Sequence, residues 1–143
     1  MKNIDILIAL NLIPKLGSIK IQKLAKRFKS YSSFLKAKPE EFYNIPGIGK
    51  TTTTKIMTYR KRIDPNKEVK KAKELGVTIL TLLDKDYPEQ LKQIYDPPPV
   101  IYVKGDNIAF NKNSLAIVGT RKASTYGKNV AMRFSKELVS MNI

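Results

Sequence analysis

The chain has 143 residues, 42% of them hydrophobic, with 27 Lys and Arg against 12 Asp and Glu and a formal charge of +15. This is enough apolar sequence for one ordinary domain or two small ones, and the charge calls for an acidic partner, most commonly nucleic acid. With no Cys and no His, disulfides, the usual zinc sites, imidazole acid–base chemistry and thiolate nucleophiles are excluded.

The apolar run at the start is broken by Asp5 and Asn11. It is too short for a membrane span and lacks a signal-peptide cleavage pattern. A cytoplasmic protein without membrane association is expected, and it should need no metal and no cofactor. Residues 1–64 hold 14 Lys and Arg against 4 Asp and Glu, a net of +10, and residues 65–143 hold 13 against 8, a net of +5. The first part is the more basic. A merely solvated Lys-rich surface is the competing explanation of that charge.

Ile4, Leu7, Ile8 and Leu12 follow helical spacing, and Pro14 ends the element. Gly17 and Ser18 then mark a turn and a helix start. Ile21, Leu24, Ala25 and Phe28 fall on one face of an amphipathic helix from Ser18 to Lys29, with Lys20, Lys23, Lys26 and Arg27 largely on the remaining surface. A short helix over 31–37 and a helical turn opened by Pro39 follow. After Ile45-Pro46-Gly47-Ile48-Gly49-Lys50 comes a helix carrying Ile56, Tyr59 and Ile63, for which Thr51 is a candidate cap.

Asp64-Pro65-Asn66 reads as a linker into a Lys-rich helix, 67–75, closed by Gly76. The pattern then changes. Residues 77–83 are a β-branched and apolar run, the mark of a buried strand. A helical turn over 88–94, an extended Pro97-Pro98-Pro99 and a second strand over 100–103 come next. Leu115 to Val118 reads as a third strand, and 126–141 as a helix. The organisation expected is α + α/β. A helical domain, 1–64, precedes residues 65–143, the opening part of a Rossmann-type α/β domain. A parallel sheet buries its strands only with several βα units, so this second domain is expected to be incomplete.

Two turns and one loop carry the candidate chemistry. Pro46-Gly47-Ile48-Gly49 joins two helices and matches the helix-hairpin-helix pattern, in which glycines let the backbone approach a phosphate and a helix N-terminus binds its oxygens. Gly47, Gly49 and Lys50 are the candidate residues, and Lys55 adds charge. Such contacts read no base. Ile13-Pro14-Lys15-Leu16-Gly17 is a weaker copy, with Lys15 in place of the first glycine. Both turns as plain connectors is the competing reading.

The loop runs from Gly119 through Thr120, Arg121, Lys122 and Ser124 into the last helix. Gly119 allows a tight turn at a strand's carboxyl end, where open α/β sheets bind ligands. Arg121 can grip a phosphate in two places, and Ser124 and Thr125 can cap the helix. The loop is neither a Gly-x-Gly-x-x-Gly nor a Walker loop. A purely structural turn is the alternative.

Three stretches together resemble the DprA/Smf family of DNA-processing proteins. They are Asp86-Tyr87-Pro88-Glu89-Gln90-Leu91 with Asp96-Pro97-Pro98 and Val100 to Gly105; Ala116-Ile117-Val118-Gly119-Thr120-Arg121 with Ser124, Tyr126 and Gly127; and the pair of hairpin turns. The resemblance implies a small sterile-alpha-motif-like (SAM-like) helical domain followed by a Rossmann-type domain. It implies a protein that binds incoming single-stranded DNA in natural transformation and helps load the RecA recombinase. Gly119, Thr120 and Arg121 match the family's phosphate pocket, with Lys122 and Ser124 as neighbours. Family members continue through the rest of the Rossmann sheet, which supplies further pocket residues and the homodimer and RecA contacts. The chain is therefore expected to be an N-terminal portion.

Two other readings compete. The helical domain could be a protein-interaction module without DNA binding of its own. A nucleotide phosphoribohydrolase-like enzyme is the other, but the Gly-rich loop with catalytic Arg and Glu is missing, and Glu137 stands alone as a surface residue. Tyr102 and Tyr126 could stack bases, but both are expected in the core.

Overall fold

A computed structural model describes residues 4–105, 115–141 and 143. It is mostly helical with one small sheet. The elements are α1 (Ile4–Asn11), α2 (Ser18–Phe28), α3 (Tyr31–Lys36), α4 (Pro39–Tyr43), α5 (Lys50–Arg60), α6 (Pro65–Glu74), β1 (Val77–Thr81), α7 (Glu89–Lys92), β2 (Val100–Lys104) and α8 (Thr125–Ser140). Two compact units result, Met1–Gly105 and Asp106–Ile143.

The first unit is built around α1. Ile6, Leu7, Ile8, Ala9 and Leu10 are all buried, so this helix is apolar around most of its circumference and must be enclosed on several sides. Helices α2 and α3 supply Ile21, Leu24, Phe28 and Phe34, and Phe42 comes from α4. The rings of Phe28, Phe34 and Phe42 meet at centroid distances of 4.9–6.2 Å, in the range where tilted and edge-on pairs attract. Ser30 caps α3 by accepting from the Ser33 amide at 3.1 Å.

Arg60, at the end of α5, is 6% exposed. Its Nη1 donates to the carbonyls of Phe34 at 3.1 Å and Ala37 at 2.6 Å. A buried cation is tolerated here because it satisfies carbonyls at the C-terminus of α3, where the helix dipole favours positive charge. Burial pulls its guanidinium below the usual value. Tyr31 ties the same region to the end of the helical part, donating to the Ile63 carbonyl at 2.6 Å.

The first compact unit extends past the 64/65 boundary expected from the sequence. Asp64-Pro65-Asn66, read as a linker, is a helix start: the Asp64 side chain accepts from the Asn66 amide at 3.0 Å and Pro65 occupies the first turn. Pro65 is buried, and α6 packs on α1. Strands β1 and β2 pair antiparallel, Val77 opposite Lys104 and Thr81 opposite Val100. Val100 joins the same core as α1. A two-stranded ribbon is marginal by itself, and its apolar face is covered by the helical module, so contacts run continuously to Gly105.

The Pro-rich stretch is held by side chains from elsewhere. Tyr87, 2% exposed, donates to the Pro98 carbonyl at 2.7 Å. Gln22 donates to the Pro97 carbonyl at 3.2 Å, and Ser18 donates to Asp96 at 2.5 Å. The Tyr-Pro and Asp-Pro-Pro segments thus fasten the approach to β2 onto α2.

In the second unit the expected third strand is absent. Leu115 to Val118 is irregular and exposed. A strand exists only with a hydrogen-bonded neighbour, and among the described residues the only ladder is β1 with β2. The sheet seen is antiparallel; the parallel βα opening expected from the sequence is not formed by the described residues. Helix α8 is well formed, capped by Ser124, and has no buried residue.

Candidate nucleic-acid interface

The two hairpin-like turns are built alike. In the second, Ile45 and Ile48 are buried at 6% and 3% exposure, while Pro46, Gly47 and Gly49 face out. In the first, Ile13 and Leu16 are buried at 2% and 3%. The amides of Ile13 and Ile45 donate to Leu10 and Phe42 carbonyls, both at 3.1 Å. Two apolar anchors thus pin each turn and leave its backbone at the surface.

Gly47 has φ +87°, a conformation that costs a side-chain-bearing residue about 1–2 kcal/mol. Its counterpart Lys15 adopts φ +56° despite its side chain. At this position the first turn keeps the left-handed backbone with a residue that obstructs close approach. Gly49 stands at the N-cap of α5 and offers no side chain to its amides, so Thr51, expected as a cap, lies inside the first turn. The Gly49 carbonyl accepts from the Thr53 amide at 3.0 Å and hydroxyl at 3.2 Å.

Two lysines that the sequence places only on the surface of α2 converge on this turn. Lys23 of α2 donates to the Pro46 carbonyl at 3.0 Å, and its Nζ stands 3.8 Å from where a Cβ on Gly47 would be. Lys20 donates to the Thr52 hydroxyl at 3.4 Å. The helical periodicity put both on the outer surface of α2, but only packing of α2 beside the turn could assign them to it. Beyond the turn, Lys50 and Lys55 line one shallow depression on the outer face of α5 together with Thr51, Thr54, Thr58 and Tyr59.

The loop of the second unit is open. Gly119, Thr120, Arg121 and Lys122 are exposed and irregular. Gly119 follows no strand and lies outside the positive-φ region, and a Cβ there would meet nothing within 4 Å. The tight turn expected at Gly119 is thus not found, because the strand that would have required it is absent. Ser124 behaves as expected: its Oγ accepts from the Gly127 amide at 3.1 Å. Arg121 and Lys122 precede the N-terminus of α8 with no carboxylate partner among the described residues.

Other expectations divide. Glu137 is on the surface and pairs with Arg133 at 3.0 Å. Tyr126, expected in the core, is 78% exposed. Tyr102 is half-exposed, and its hydroxyl donates to Glu68 at 2.9 Å. Burial of that hydroxyl, reinforced by Glu68, pushes the phenol up to about 12. No cluster of acidic residues able to hold a metal occurs among the described residues, and no described helix is long and apolar enough to cross a membrane.

Residues 78–143 match the family described as DNA recombination-mediator protein A. The chain is 42% identical to the DNA processing protein DprA of Bacillus subtilis over 67 residues, which is 46% of this chain and 23% of that protein. It is 28% identical to protein Smf of Synechocystis over 128 residues, 86% of this chain and 32% of the relative. A DNA ligase of Petrotoga mobilis is 28% identical over 130 residues, 91% of this chain but 19% of the ligase. The chain thus spans less than a third of the length of the relatives it matches. No solved structure matches. The matches point first to a class, proteins that process DNA. Over residues 78–143, just under half of the chain, and through the relatives named DprA and Smf, the chain is similar to the DprA/Smf family.

Proposed function

We infer that this chain is the DNA-contacting front part of a DprA-type recombination mediator and binds single-stranded DNA mainly through phosphates. The observation that carries the reading is the exposed Gly119 to Ser124 loop, inside the family-matched stretch, with Arg121 and Lys122 exposed just ahead of a capped helix. A helix N-terminus and a guanidinium are the groups that bind phosphate oxygens without reading a base. Gly47, Gly49 and Lys50, with Lys20 and Lys23 beside them, form a second basic contact of helix-hairpin-helix type.

On this reading residues 1–64 are a SAM-like helical module, and 65–143 begin a Rossmann-type domain. The whole protein would shield incoming single strands in the cytoplasm, load RecA and dimerise through sequence beyond this stretch. The role is binding rather than catalysis. The ligase relative does not alter this, since the match spans only 19% of that protein.

Oligo-dT titration of the whole chain at several salt concentrations tests the reading. Affinity should fall steeply with salt, and Arg121→Ala should reduce the logarithmic salt slope by about 0.7. Unchanged affinity and slope in Arg121→Ala would remove the loop from the site.

A further inference from the structure

The outer face of α5 combines features that the phosphate reading leaves unused. Lys50, Thr51, Thr54, Lys55, Thr58 and Tyr59 line one shallow depression. A second, lined by Pro39, Tyr43, Thr53, Thr54, Met57 and Thr58, shares Thr54 and Thr58 with it. The two are therefore adjoining parts of one track. Tyr59 is 37% exposed and Tyr43 48%. Neither hydroxyl makes a side-chain hydrogen bond among the described residues, in contrast to Tyr31, Tyr87 and Tyr102.

The charge of this track has one sign. From Lys50 to Ile63 the chain has no acidic residue. Of the two acids on α4, Glu41 is turned away, accepting from the Lys38 amide at 2.8 Å and lying 3.6 Å from Arg27. Glu40 is the remaining one. The threonines stay neutral, and two are tied to the helix backbone: Thr53 donates to Gly49 and Thr58 to Thr54. The result is a neutral floor with cations at one end and phenol rings flanking it.

Phosphate contact alone needs no exposed rings. Cations with aromatic faces are what unpaired bases require, because every base presents a π-face and stacking tolerates any sequence. A duplex hides those faces. We propose that the outer face of α5 is a stacking track for single-stranded nucleic acid, with Tyr59 and Tyr43 as base platforms and Lys50 and Lys55 as phosphate contacts. This rests on the reading of the protein as a single-strand binder, but on groups separate from the Arg121 loop.

The chain has seven tyrosines and no tryptophan, so tyrosine fluorescence reports stacking, and the Tyr59 and Tyr43 variants assign it to this track. The whole chain would be titrated with dT10, with an abasic strand of equal length, and with a 10-base-pair duplex. Tyrosine emission should quench with dT10 and not with the abasic strand. Tyr59→Ala should weaken dT10 binding about tenfold, within the range of one stacked base, while Tyr59→Phe keeps near wild-type affinity. Tyr43→Ala should act in the same direction, and Lys50→Ala with Lys55→Ala should lower the salt slope. Both rings are exposed, so circular dichroism and the melting transition should be unchanged in the variants. Equal affinity for dT10 and the abasic strand would overturn the proposal, as would full binding by Tyr59→Ala and Tyr43→Ala or a preference for the duplex. If Arg121→Ala loses binding while the tyrosine variants keep it, the α5 track fails alone. If Arg121→Ala keeps binding and the tyrosine variants lose it, the loop fails and the track stands.

Discussion

The two compact units differ in what they do with their apolar residues. In Met1–Gly105 the large side chains of α1 to α5 close on one another, and Phe34 and Phe42 are fully enclosed. In the second unit α8 forms with a regular cap and an amphipathic pattern, yet buries nothing, and Phe134 is 55% exposed. Regular helix and good capping are local properties, whereas burial needs a second surface. The polar chemistry follows the same divide. The first unit uses its buried cation and the hydroxyls of Tyr31 and Tyr87 to satisfy backbone carbonyls, whereas the Gly119 to Ser124 loop leaves its cations facing solvent.

The sharpest way to break this comparison is to truncate one ring in each unit. Phe34→Ala should cost about 3–5 kcal/mol in urea unfolding, while Phe134→Ala should change stability by no more than about 0.5 kcal/mol. Similar losses would mean that α8 is held by packing after all. Arg60→Ala should cost about 2 kcal/mol, because it strands the buried Phe34 and Ala37 carbonyls. A near-neutral result in the same assay would mean that water replaces the guanidinium.

The glycines sharpen the contrast between turn and loop. Gly47→Ala should destabilise by about 1 kcal/mol, since its φ of +87° disfavours a Cβ, and Gly119→Ala should be neutral in the same thermal melts. The smallest effect concerns Tyr102. A phenol whose folded pKa is raised keeps its contribution below its ordinary pKa near 10. It loses that contribution as pH rises towards about 12, because the unfolded chain ionises first. Ultraviolet titration should find late phenols, since burial also raises Tyr31 and Tyr87, and Glu68→Gln should bring down Tyr102 among them.

Much of the local structure was legible beforehand because local rules cause it. The spacing of Ile21, Leu24 and Phe28 set α2, Pro39 opened α4, and Ser124 capped α8. Pro46-Gly47-Ile48-Gly49 announced a turn between two helices. The segment around Asp64 is ambiguous in the sequence because a Pro after an Asp signals either a break or a helix start, and only the packing of α6 against α1 decides which. Leu115 to Val118 has the composition of a strand, but composition supplies no hydrogen-bonding neighbour.

By itself the sequence determined the charge, the absence of thiol and imidazole chemistry, most helix limits, the hairpin turns and the family motifs. These depend on residue identity and on neighbours a few positions away. Only the tertiary structure decided that β1 and β2 close onto the helical module and that Lys20 and Lys23 serve the turn around Gly47. It also revealed that Tyr87 and Gln22 hold the Pro-rich stretch and that Tyr59 and Tyr43 stand beside one neutral track. Each of these joins residues far apart in the chain, whose meeting is set by how the apolar faces pack and not by any local pattern.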